Sequence, residues 1–197
     1  VADPVWLGWL LTAAFLAIAG YGVARLVVAA RLPAAGYRGC HRAVDTAHTT
    51  MALGMAVMCS PVGGPLPAAG WQAVFTLVTA WFLGATLLRG HRTPIGWHGP
   101  DWQHAVAGLG MLYMLLAVPH TAHSMSVSWT GPHTGSAALP ALGWAFVAFF
   151  AVQAVRLGPA VLRGGDRGTG LLADGRVAAA CQFVMALGTG YVIFVML

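Results

Sequence analysis

The sequence contains no lysine and no glutamate, and only 8% of its 197 residues carry a formal charge. All ten basic residues are arginine and all five acidic residues are aspartate. A soluble domain usually carries about 25% charged residues, so this scarcity, with 58% hydrophobic residues and a mean hydropathy of +0.75, points to a bilayer as solvent. The net charge of +5 does not imply nucleic acid, because the arginines fall in short clusters between apolar runs rather than along one basic stripe. Cysteine is equally sparse. Cys40, Cys59 and Cys181 show no CxxC or other framework spacing, which leaves three packed thiols rather than a disulfide scaffold. No Ser/His/Asp arrangement, carboxylate pair in a membrane segment or phosphate-cradling loop is present, so an enzyme is the least supported class.

What is there is a series of long apolar runs. A span needs about 20 mainly apolar residues, and six segments qualify: Val5–Ala30, Thr46–Pro61, Gly70–Leu88, Trp102–Val118, Leu139–Leu157 and Val177–Leu197. Unpaired backbone groups are costly in lipid, so each is read as an α-helix. The expected fold is all-α and integral to the membrane, a single transmembrane domain over 1–197. Every arginine lies around the first, third or fifth connection, and none lies in Ser60–Ala69 or Pro119–Ala138. Basic residues favour the cytoplasmic side, which places both termini outside. Asp3 precedes the first apolar run and arginines follow it, the reverse of a cleaved secretory signal. The chain is therefore expected to cross a membrane several times and to keep its first apolar run.

Two stretches repeat. Asp45–Met58 reads DTAHTTMALGMAVM and Asp101–Met114 reads DWQHAVAGLGMLYM, sharing Asp, His, Leu, Gly, Met and Met at equal offsets. Met185-Ala186-Leu187-Gly188 repeats Met51-Ala52-Leu53-Gly54, and an Arg-Gly-…-Arg connection precedes all three copies. The unit is an odd helix, an arginine-bearing connection and an even helix. It predicts three helical-hairpin repeats over roughly 5–61, 70–118 and 139–197, arranged as a pseudo-three-fold bundle with the even helices nearest the axis.

At about 100° per residue, His48, Met51, Met55 and Met58 share one narrow helix face, matched by His104, Met111 and Met114 on the fourth segment. If the even helices meet, these positions form rungs about 5 Å apart. The innermost is His48, His104 and Gln182. Next come Met51, Ala107 and Met185, then Met55, Met111 and Thr189, and finally Met58, Met114 and Val192. Thioethers suit Cu(I), and imidazole suits copper, zinc or iron. Asp45 and Asp101 stand one turn before the two histidines, where their carboxylates could accept from the imidazole N–H groups and orient the rings or serve as helix N-caps. In Pro119–Met125, His120, His123 and Met125 offer a possible outer capture point, or an ordinary polar loop.

Three function classes follow. The first is binding or translocation of a soft metal, most of all copper. The second is an accessory subunit of a larger membrane complex, or a homo-oligomer, whose methionine face only packs. The third is an electron carrier whose His48 and His104 sandwich a b-type haem. The lipid bilayer is the expected partner in each, and nucleic acid in none. The His/Met pattern of the even helices, with its repeated ALG and GLG, resembles an actinobacterial family of six-helix membrane proteins of unknown function. That resemblance implies a plasma-membrane protein and brings no activity. Met51-x-x-x-Met55 is similar to the MxxxM of trimeric CTR-type copper transporters, although the fourth segment has Ala107 and Met111 and the sixth Met185 and Thr189 at those positions.

Overall fold

The computed structural model describes residues 5–31, 39–89, 101–117, 138–163 and 175–197. They form six helices and no strand: α1 (Val5–Arg31), α2 (Gly39–Cys59), α3 (Ala68–Arg89), α4 (Asp101–Ala117), α5 (Pro140–Arg163) and α6 (Gly175–Met196). Each apolar run becomes one helix. The main difference from expectation is the start of α2, which begins at Gly39 rather than Thr46. Its first turns, Gly-Cys-His-Arg-Ala-Val-Asp, are too polar to register as an apolar run, yet carry nothing that stops a helix. Asp45 consequently lies in the second turn of α2 and is not its N-cap. Pro140 opens α5, where its fixed φ is already helical and its missing N–H has no intrahelical partner to lose. Between α2 and α3 the chain turns through Ser60–Pro67 with Gly63 at a φ of 76°, a conformation glycine adopts without steric cost.

The helices pack mainly as sequential pairs, α1 on α2, α3 on α4 and α5 on α6, and lighter contacts join α2 to α4 and α6. A glycine contact recurs between successive pairs. A methyl group at Gly54 of α2 would collide with the Phe75 ring of α3. At Gly110 of α4 it would press on Phe150 of α5, and at Gly188 of α6 on Phe15 of α1. Phe15, Phe75 and Phe150 are all buried. Small residues here admit a neighbouring ring rather than a neighbouring backbone, a variation on close helix approach. Within the pairs, the glycine Gly22 faces Thr49 and Gly108 faces Thr79.

Four helices, α1, α3, α5 and α6, are long and apolar enough to cross a membrane. Large apolar side chains, among them Trp6, Leu10, Leu77, Trp81, Trp144 and Val155, point outward from α1, α3 and α5. That exterior is compatible with a lipid bilayer. The inner helices differ. Leu53 is the only large hydrophobic residue that α2 exposes among the described residues, and α4 is 17 residues long. Enclosed by neighbours, α2 meets protein rather than lipid along most of its surface, whereas α4 also exposes Trp102, Leu109 and Leu116. The two helices hold Asp45, Thr49 and His104 at buried positions, away from lipid.

Candidate functional site

The histidines stand together. The His48 ring of α2 lies 5.0 Å, centroid to centroid, from the His104 ring of α4, tilted by 44°. The His104 ring also stacks on Phe82 of α3 at 5.0 Å and 23°, which fixes the imidazole plane. The two residues occupy equal offsets in the repeated sequence and meet because α2 and α4 cross near this level.

Both rings line a cavity of about 80 Å³, room for several water molecules or one ion with part of its shell. Met51 comes from α2, Met111 from α4, and Gln182, Met185 and Thr189 from α6. Gln103 and Gln153 add two amides. The two innermost rungs expected from the helical spacing, His48/His104/Gln182 and Met51/Ala107/Met185, therefore face one space. The third rung divides, with Met111 and Thr189 on the cavity wall and Met55 fully buried in the core. Met58, Met114 and Val192 of the fourth rung are core residues, each at 1% exposure or less. Packing there is dense, so Met55, Met58 and Met114 fill space instead of lining it.

A second cavity, of about 30 Å³, lies between α1, α2 and α6. Tyr21, Arg25, Asp45 and Cys181 line it, and it shares His48, Gln182 and Met185 with the first. Arg25 Nε is 3.3 Å from Asp45 Oδ2, with both side chains under 10% exposed. The Arg25 guanidinium also lies over the Tyr21 ring, 5.8 Å from its centroid. Burying a guanidinium and a carboxylate is costly unless each compensates the other, and this pair joins α1 to α2. Asp45 is thus an ion-pair partner for Arg25. Asp101 is the first residue of α4; its side chain, with His120, His123 and Met125, lies outside what the structure describes.

Sequence reasoning missed Arg25, Gln103 and Gln153. Arg25 had a signal, since it lies well inside the first apolar run rather than beyond it. Gln153 is flanked by Ala151-Val152 and Ala154-Val155 in the middle of α5, and an amide in such a place usually has a polar neighbour. Among the described residues no three His, Cys, Asp or Glu side chains gather so as to hold a metal ion. Any ion here would have to take thioethers to complete its shell.

Residues 40–196 match the model of a family described as a domain of unknown function, DUF5134. The chain belongs to this family. The match spans α2 to α6 with their connections, hence the histidine pair and the larger cavity, but not Arg25 or Tyr21. Neither a copper-transporter likeness nor an actinobacterial origin comes with it. No curated protein and no solved structure matches the chain.

Proposed function

We propose that this is a six-span plasma-membrane protein that binds a soft monovalent metal ion, Cu(I), in its His/Met cavity. The carrying observation is the meeting of two imidazoles, 5.0 Å apart, with the methionines Met51, Met111 and Met185 around one 80 Å³ space. Two nitrogens and neutral thioethers suit Cu(I), whereas Zn(II) would call for thiolates, carboxylates or a third imidazole, and Mg(II) for carboxylate and water oxygens. Thioethers also hold a monovalent ion without a buried counter-charge, which matters among apolar helices.

The architecture supporting this reading is three hairpins about a pseudo-three-fold axis. Each ring-into-glycine contact runs from an even helix to the odd helix of the next hairpin, and the third returns to α1, which closes the cycle. The arginine-bearing connections lie inside and the termini outside. Passage through the bundle would require the packed Met55, Met58 and Met114 to move, so binding is the better supported half of the proposal. A b-type haem fits poorly. Its macrocycle is far larger than the cavity, and Phe82 covers one face of His104.

The test is competition for Cu(I) between the purified full chain and a chelator of known affinity. One equivalent should be retained by the wild type. His48→Ala should lose it, and His104→Ala should weaken it about tenfold or more. Absence of retained copper in the wild type, or equal affinity in all three proteins, would overturn the reading.

A further inference from the structure

Cys181 has no part in the His/Met cavity, yet it faces the adjoining one. Cys181 and Met185 are one turn apart on α6, and both line the smaller cavity opposite His48 of α2. His48 and Met185 line the larger cavity as well. Cys181 is a free, partly exposed thiol, unlike Cys59, which is sealed in the core.

We infer that the smaller cavity is a second position for the same soft ion, held by Cys181, Met185 and His48, from which the ion is handed to the His/Met cavity. This rests on the Cu(I) reading above and extends it. The ligand chemistry is suited to hand-over. Thiolate, thioether and imidazole all take Cu(I), and two of the three are common to both cavities. An ion could exchange Cys181 for His104 and Met111 while keeping His48 and Met185. No step would leave it without protein ligands.

Charge follows the same division. When Cys181 binds the ion, its thiol proton passes to water as the metal–sulfur bond forms, so a monovalent cation replaces one proton. The Arg25–Asp45 pair on the same wall is neutral as a unit and leaves that exchange unchanged in net charge. In the larger cavity the ligands are neutral and the ion keeps its full charge. Moving there breaks the metal–sulfur bond, and the Cys181 thiolate takes a proton back from water. The smaller position therefore takes up the ion against one proton, and the larger one holds it with no proton exchanged. Successive sites of unlike strength are what movement of an ion requires.

The experiment is a double-variant comparison with Cu(I) as the probe, on the reduced full chain in nanodiscs. His104→Gln alone should retain one equivalent at reduced affinity, held at the smaller position. His104→Gln with Cys181→Ser should bind about tenfold more weakly still. Equal affinity of His104→Gln with and without Cys181→Ser overturns the hand-over position and leaves the His/Met site standing. Failure of the wild type to bind Cu(I) removes the His/Met reading itself, and the hand-over with it. His104→Ala and Cys181→Ala replace either variant that elutes as an aggregate.

Discussion

A guanidinium and a carboxylate 3.3 Å apart and both buried make a sharp test of what holds α1 to α2. Removing one partner leaves the other charge in an apolar setting, and that penalty exceeds the attraction lost. Asp45→Asn should therefore destabilise the protein by about 3 kcal/mol or more, with Arg25 left in place. Arg25→Met combined with Asp45→Leu removes both desolvation costs together and should restore most of the loss. Thermal unfolding in one detergent, compared across the three proteins, reads the difference. A double variant as unstable as Asp45→Asn would show that the helices rely on these side chains for something other than mutual charge. The pair also shows what spacing along one helix leaves out. One turn of sequence spacing suggested that Asp45 served His48 or capped the helix. Spacing along one helix is blind to Arg25, which comes from another.

At the scale of the elements, all six helices and the shared face of His48, Met51 and Met55 were legible from apolar runs and a period of 3.6 residues. The fate of each methionine was not. Periodicity gives direction around a helix, whereas lining a cavity or filling the core depends on what neighbouring helices place at that depth. Met51, itself buried in the core, also lines the larger cavity; Met55, one turn further, lies in the same core and does not. The repeated glycines were legible as small residues, but not as the seats of Phe15, Phe75 and Phe150, because the rings come from other hairpins. This yields a comparison within one protein. Gly188→Val should lower the unfolding temperature clearly, since Phe15 occupies the space a side chain would take. Gly54→Val should do the same through Phe75. At Gly84, where an added Cβ meets nothing within 4 Å, Ala should be neutral or stabilise the helix by about 0.5–1 kcal/mol. Combining Gly188→Ala with Phe15→Leu should recover part of the Gly188→Ala loss. Equal effects at Gly84 and Gly188 would mean that the rings do not seat on the glycines.

The whole molecule inverts the usual arrangement of polarity. Its polar groups, the histidine pair and the Arg25–Asp45 pair, are inside, and its outer faces carry Trp6, Leu77, Trp81 and Trp144. In water such a surface would drive association, whereas in lipid it costs nothing. Tryptophan reports the difference directly, because Trp81 and Trp144 are 62% and 53% exposed and Trp71 is 7% exposed, stacked on Phe75. Reconstituted into vesicles of brominated phospholipid, the protein should lose much of its tryptophan emission relative to vesicles of the unbrominated lipid. Trp81→Phe and Trp144→Phe should each remove emission that bromine quenches. Trp71→Phe should instead remove emission that bromine leaves alone, since that ring is shielded by its own helices. Equal quenching of all three would place lipid against Trp71 and contradict the enclosed interior. No quenching at Trp81 and Trp144 would mean that protein, from a second copy or a larger complex, covers the faces assigned here to lipid.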